Sequence, residues 1–395
     1  MPIKTCIFQS LEKNPSAGSQ ELQTQFKKLI LEPLSTLSMC SPAVLVLDAL
    51  DECVEDGVKE ILTLIVSNLN QLPAFLKIFV TSRPESHIAD ILDPINLQLA
   101  HNSGMICIYR IDPSVDENAV RAYLTAALSK SEVARLFPAF TAWSLDEEKL
   151  KILVKISDGL FIVAATIVKF ILNSTDADPE HCLSILLQDP ESREETHSAV
   201  NLLYSRILEH RHPPLTGRPA LDRFRQVVGS IVLLFEPLSI DSLASLLDLS
   251  PPSICSALHR LQSVVAVTEV DNLIRVLHHS FIDFLTNHHA CSSSFLVEPS
   301  RQHGFLAQRC ISILSKLFNQ AEEITRVVLS PEMTYATCYL DFHIASSHID
   351  HRNELLMFTK SFIKSQVGKW LLALFHSSRC AHAIPSIKQL HNWVV

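Results

Sequence analysis

Three carboxylates and one guanidinium stand where they could manage a phosphate group. Asp48, Asp51 and Glu52 follow the run Pro42, Ala43, Val44, Leu45, Val46, Leu47, and Arg83 follows a second run, Leu76, Lys77, Ile78, Phe79, Val80, Thr81. A carboxylate can hold Mg²⁺ directly or through water. A second acid can orient a water for attack on a phosphoryl group. A guanidinium forks onto phosphate oxygens. The competing reading of the same residues is a strand followed by an acidic, solvated helix start.

The elements that must position these groups are two strands and a helix. An unbroken apolar run rich in valine and leucine reads as a parallel strand buried on both faces. Leu62, Thr63, Leu64, Ile65, Val66 and Leu69 suggest a crossover helix, and Leu76 to Thr81 supply a second buried strand. Asp48 and Arg83 then stand at the carboxyl ends of neighbouring strands, one strand–helix–strand unit apart, where open α/β sheets place ligands. A further strand is predicted over residues 105–111, and helices over residues 3–13 and 19–31.

Leu45, Val46, Leu47, Asp48, Ala49, Leu50, Asp51, Glu52 and Cys53, followed by Phe79, Val80, Thr81, Ser82, Arg83, Pro84 and Glu85, resemble the Walker B and sensor segments of NACHT-domain signal-transduction NTPases of the STAND type. Among these, the resemblance is to fungal proteins that join a NACHT module to WD repeats. It implies a P-loop NTPase sheet, with ATP or ADP and Mg²⁺ as cofactors. Carried over by position, Asp48 binds the metal, Asp51 and Glu52 support hydrolysis, and Arg83 faces the γ-phosphate.

That family grips nucleotide with a Gly-rich loop ending in Lys and Ser or Thr, whose backbone amides cradle the phosphates. Here only Gly18 lies ahead of Asp48, with no lysine after it, and the one Gly-Lys pair, Gly368 and Lys369, is followed by Trp370. Half of an NTPase site is written, and catalysis is expected to be impaired or absent. The chain is expected to begin partway through the NTPase core. Loss of the loop-bearing strand would leave Ile78, Phe79 and Val80 on an unpaired apolar edge, which invites aggregation or a partner chain.

Composition bounds the rest. The chain has 395 residues, 47% hydrophobic and 19% charged, enough for buried cores in two to four domains. A net charge of −9 with no long basic run argues against nucleic acid as a partner. Met1 to Cys6 lack a signal pattern, and the most apolar helix candidate, residues 160–172, contains Lys169 and is too short to span a bilayer. Ten scattered cysteines without a Cys-x-x-Cys pair suit reduced thiols, and a cytoplasmic location is expected.

Beyond residue 112 the pattern is helical. Val120, Tyr123, Leu124, Ala127 and Leu128 form one stripe, residues 145–156 another helix, and Gly159, Leu160 and Phe161 open a helix that is apolar nearly all round. The resemblance places Gly159 beneath the nucleotide; a plain packing helix explains it equally well. Residues 213–219 read as a linker. Helices near 221–235, 240–247 and 253–261 precede a hairpin turning at Asp271 and Asn272, the order of a winged helix. Its candidate recognition helix offers one arginine and one histidine, too little for reading DNA.

Leu277, His278, Ser280, Phe281, Asp283, Phe284 and Leu285 resemble the family's Leu-His-x-Ser-Phe-x-Asp-Phe-Leu segment. There the histidine, here His278, reaches the ADP phosphate and latches the closed state; imidazole suits this because it donates while carrying little charge near neutrality. His278, His279, His288 and His289 lack zinc-finger spacing. Residues 300–395 read as helices, without propeller repeats after them.

The fold expected is therefore α/β plus α. Residues 1–112 form a partial NACHT core, 113–212 a helical lid, 213–295 a winged helix and 296–395 a helical arm. The function expected is a nucleotide-biased signalling switch. Its partners would be proteins, through self-association or a full-length NACHT protein, with neither nucleic acid nor membrane. A nucleotide-free interaction module is the alternative, and a divergent ATPase gripping phosphate through Arg83 and His278 alone is the third reading.

Overall fold

A computed structural model of the chain describes residues 2–37, 42–53, 55–83, 85–92, 106–109, 117–172, 178–187, 198–211, 218–259, 261–268, 270–320, 327–347 and 354–377. The chain divides into two compact units, Met1–Ile111 and Asp112–Val395.

The first unit opens with α1 (Pro2–Lys13). The helix expected over 19–31 forms in three parts: α2 (Leu22–Gln25), a π-helical stretch (Phe26–Leu31) and α3 (Glu32–Ser35). Pro33 accounts for the widened turn. It has no N–H for the Leu29 carbonyl and its ring crowds that oxygen, and Glu32 N–H reaches back to Lys27 C=O instead. Then come β1 (Ala43–Leu47), α4 (Glu55–Asn68), β2 (Leu76–Val80) and the short α5 (Ser86–Ile91). The two strands are parallel, in register from Ala43 opposite Leu76 to Leu47 opposite Val80. The strand–helix–strand unit expected from the sequence is present.

Two expectations are corrected. The strands are not buried on both faces. Each alternates half-buried and exposed residues, with Val44, Val46 and Phe79 exposed at 61%, 57% and 57%. The small core of this unit, Leu50, Val58, Leu62 and Ile88, packs with Val80 and so lies on the opposite face. An apolar run records that a strand can be covered on both sides, not that anything covers it. The third strand also fails: residues 106–109 have no regular structure, and Cys107, Ile108 and Tyr109 are exposed. Met105, Arg110 and Ile111 lie outside the described residues. β2 pairs with β1 alone among the described residues.

Among its described residues, the second unit is helical apart from one hairpin. It runs α6 (Glu117–Ala127), α7 (Lys130–Leu136), α8 (Glu147–Ser157), α9 (Phe161–Leu172), α10 (Pro179–Leu187), α11 (Ala199–Arg211), α12 (Arg218–Leu233), α13 (Ile240–Leu247) and α14 (Pro251–His259). The antiparallel pair β3 (Val265–Val267) and β4 (Ile274–Val276) follows, then α15 (His279–Thr286), α16 (Pro299–Gln320), α17 (Pro331–Ala345) and α18 (Glu354–His376). Side chains cap the helices: the Asp146 carboxylate accepts Lys149 N–H at 2.8 Å at the start of α8, and Ser239 Oγ accepts Ser242 N–H at 3.2 Å at the start of α13. Ser239 also bridges to Leu273, adding a third short segment beside the hairpin.

One continuous core links these helices. α9 buries Val163, Ala164, Ile167, Val168, Phe170 and Ile171, as its all-round apolar sequence requires. α17 is buried on nearly every side and packs against α13, α16 and α18. Trp370 on α18 is fully buried and donates its indole N–H to Thr337 C=O at 2.9 Å. Of the linker expected over 213–219, residues 213–217 lie outside the described residues, while Arg218 and Pro219 open α12; the stretch from 378 onward also lies outside them.

Candidate functional site

Register places Asp48 and Thr81 side by side, one step beyond the last pair of the ladder, Leu47 and Val80. Thr81 N–H donates to Leu47 C=O at 2.9 Å, extending the parallel pattern. The Thr81 hydroxyl donates to Asp48 Oδ1 and accepts Ala49 N–H at 2.9 Å. Thr81 thus fixes the acid by its side chain and the next peptide by its oxygen.

Ala49 then turns the chain. Its backbone lies in the left-handed region (φ 52°, ψ 51°), a conformation that carries a steric cost for alanine. The turn lets Leu50 N–H donate to Thr81 C=O at 3.0 Å and starts the 3₁₀ turn Leu50–Glu52. Leu50 drops into the small core while Asp51 is carried over the end of β2.

Asp51 is bound there by several donors. Its Oδ1 accepts Arg83 N–H at 2.9 Å and the Ser82 hydroxyl at 3.3 Å, and its Oδ2 lies 3.4 Å from Arg83 Nε. The Asp51 side chain is 9% exposed, that of Arg83 45%. Burial on its own pushes the Asp51 carboxyl up. The Arg83 amide, its own backbone amide, the Arg83 guanidinium and the Ser82 hydroxyl outweigh that and hold it below the usual carboxylate range.

The strand tips therefore hold two acids in different situations. Asp48 is exposed, with one oxygen anchored by Thr81. Asp51 is enclosed and committed to Arg83. The Glu52 side chain lies outside the described residues. The donor set around Asp48, one exposed carboxylate beside a threonine hydroxyl, fits a largely hydrated Mg²⁺, which commonly takes one or two carboxylates and keeps several waters. It does not suit a dehydrated transition-metal site: no cluster of three His, Cys, Asp or Glu exists among the described residues.

Thr81, Ser82 and Ala49 are the members that reasoning from sequence passed over. Hydroxyls directly after an apolar strand run, facing an acid at the matching position of its neighbour, were the available signal. The left-handed alanine left none.

The remaining candidates belong to the second unit. Gly159 (φ 70°) follows Asp158 (φ 46°), and both lie in the left-handed region between α8 and α9. Leu160 N–H closes this turn on Ser157 C=O at 2.7 Å. Backbone geometry thus supplies one reason for glycine here. His278 is the N-cap of α15. Its Nδ1 accepts Ser280 N–H at 3.1 Å and lies 2.8 Å from Ser280 Oγ, which in turn lies 2.9 Å from the Tyr204 hydroxyl. An accepting Nδ1 puts the proton of the neutral ring on Nε2.

No helix among the described residues is long and apolar enough to cross a membrane. A family model described as Nephrocystin 3, N-terminal, matches residues 2–83. No curated protein matches the chain. The matched stretch takes in Asp48, Asp51 and Arg83 and leaves the second unit outside it: the first unit is similar to the N-terminal region of nephrocystin-3-type proteins.

Proposed function

We propose that this chain is a NACHT-type signal-transduction switch protein whose first unit handles the phosphates of ATP or ADP at the tips of β1 and β2, with hydrolysis impaired. The observation that carries this reading is the pairing of Asp48 with Thr81 and of Asp51 with Arg83 on adjacent parallel strand ends. An acid suited to a hydrated cation and a partly exposed guanidinium are thereby held at neighbouring strand ends, which supports phosphate handling there.

Asp48, positioned by Thr81, would bind Mg²⁺ through water. Bound there, the metal would neutralise phosphate charge. Asp51 acts in this reading as the residue that positions Arg83, since its oxygens serve the Arg83 amide and guanidinium. Glu52 keeps the role of orienting water. No Gly-rich loop with its lysine accompanies them in this sequence, so weak binding and little turnover are expected. His278 and Gly159 are proposed as nucleotide contacts by resemblance alone.

The test is calorimetric titration of the whole chain with Mg-ATP and with ADP, beside Asp48→Ala and His278→Ala. Micromolar binding that Asp48→Ala abolishes supports the reading. Absence of heat from a chain folded by circular dichroism rejects it.

A second reading, an interaction module that needs no nucleotide, is favoured by one observation. Val44, Val46 and Phe79 expose an apolar sheet face, and such faces mark contact surfaces. Protein partners, including another copy of the chain, suit that surface.

A further inference from the structure

The second unit buries a chain of ring side chains that none of the roles above uses. Nδ1 of His303 on α16 and Nδ1 of His343 on α17 are 2.8 Å apart, and Nε2 of His343 lies 2.7 Å from the Tyr335 hydroxyl. That hydroxyl accepts the N–H of Phe235, in the segment between α12 and α13, at 3.2 Å. Phe235 stacks on His303 at 5.8 Å and on Tyr339 at 5.4 Å, and its ring lies 4.9 Å from that of His343. His343 and Tyr335 are almost completely buried.

The hydrogen bonds run in one direction. With Phe235 N–H pointing at Tyr335 Oη, the hydroxyl proton finds its acceptor at His343 Nε2. His343 then carries its proton on Nδ1 and gives it to Nδ1 of His303, whose own proton is on Nε2. Every proton has a place only while both rings are neutral. One added proton on His303 forces His343 to accept at Nδ1 and to donate at Nε2, which leaves the tyrosine proton without its acceptor. A second added proton sets two N–H groups head to head across 2.8 Å.

We propose that His303, His343 and Tyr335 form a proton-sensitive clasp that holds the Phe235 segment onto α16 and α17, and that protonation of the histidine pair releases it. The other titratable groups at the cluster are Tyr339 on α17, Cys310 on α16 and Glu236 beside Phe235. Glu236 accepts the Tyr339 hydroxyl, and burial pushes the Cys310 thiol up to about 12, so it stays protonated. Burial lowers His343 to about 3, with the neighbouring His303 adding to the effect, and burial also lowers His303. The clasp is therefore closed at neutral pH. It weakens as pH falls below the ordinary histidine range, because the unfolded or opened state binds protons that the closed state refuses.

Hydrogen exchange of the intact chain at pH 7.5 and 5.5, corrected for intrinsic rates, tests this. Protection of the Phe235 amide should fall about tenfold or more at the lower pH relative to amides of α9, the factor expected for one refused proton one unit below an ordinary histidine pKa. His343→Gln should abolish the difference. Equal loss in the variant, or no loss in the wild type, overturns the clasp. Ring-nitrogen NMR of the wild type decides the matter if the variant fails to fold. His303 protonated at Nε2 and His343 at Nδ1, both titrating below the ordinary histidine range, support the proposal, and ordinary titration near pH 6.5 defeats it.

Discussion

Asp51 holds Arg83 twice: Oδ1 takes the backbone N–H at 2.9 Å and Oδ2 sits 3.4 Å from the guanidinium Nε. Two residues that read as separate chemical agents along the sequence are thus one structural unit. The carboxylate fixes the peptide that leaves β2 and aims the side chain that follows. In the proposed reading, phosphate chemistry at this edge would rest on Asp48 for the cation, Arg83 for the anion and Glu52 for the water, with Asp51 acting through Arg83.

Asp51→Ala removes the acceptor of the Arg83 amide and should destabilise the first unit by about 1 kcal/mol. Asp51→Asn keeps one acceptor oxygen and should cost less. The folded carboxyl titrates below its unfolded value, so its stabilisation is complete above the ordinary carboxylate range and is lost as pH falls through the folded value. Urea denaturation across pH 3 to 7 checks both points: the acid limb of the stability curve should be shallower in Asp51→Asn than in the wild type. Parallel curves for the two proteins would show that Asp51 carries no such linkage.

Thr81→Val preserves shape and removes the donor to Asp48 together with the acceptor of Ala49 N–H. Residues that orient a metal-binding carboxylate commonly change metal affinity by about 10–100-fold when lost. Mg-ATP affinity should fall about tenfold with a far-ultraviolet spectrum like that of the wild type. Unchanged affinity would separate Thr81 from the proposed cation site.

The hairpin offers a prediction independent of nucleotide. Asp271 accepts the Thr268 hydroxyl, Leu273 N–H at 3.1 Å and Arg275 Nη2 at 2.9 Å, and Asn272 beside it adopts a positive φ of 56°. Those hydrogen bonds, led by that from Thr268, hold the Asp271 carboxyl down at about 2. Its contribution is present above the ordinary aspartate value and disappears as pH falls through about 2. Asp271→Ala should speed exchange of the Leu273 amide at neutral pH, whereas Asn272→Gly, which suits positive φ, should slow it or leave it unchanged.

Much of this architecture was legible because apolar period and chain punctuation reflect local physics. The runs at Val44 to Leu47 and Leu76 to Val80 became paired strands, and the stripe through Val120 and Leu124 became α6. What escaped was relational. An apolar run could not say that Val44, Val46 and Phe79 would remain uncovered, nor could helical spacing show that Pro33 would widen the turn before it. His303 and His343 are 40 residues apart in a stretch that read simply as helical. Within the candidate site, Asp48 and Arg83 were visible as charges at strand ends. The hydroxyl of Thr81 and the left-handed Ala49 gain meaning only once the parallel register is known.

The uncovered sheet face carries the last prediction. Val44 and Val46 on β1 and Phe79 on β2 lie on the face opposite the small core, with Val46 directly across from Phe79 in the register. Exposed apolar groups on such a sheet favour association, whether through the face or along the strand edges that no described residue pairs. Replacing all three by threonine keeps residues that favour strands while removing apolar area. Since none of the three is in the core, stability should change by no more than about 0.5 kcal/mol per site. Sedimentation velocity over a range of concentrations should show self-association of the wild type that the triple variant reduces, at equal midpoints of thermal unfolding. A monomeric wild type at every concentration would remove the face as a contact surface. Loss of folding in the variant would show instead that these side chains stabilise the strands, a role that their exposure argues against.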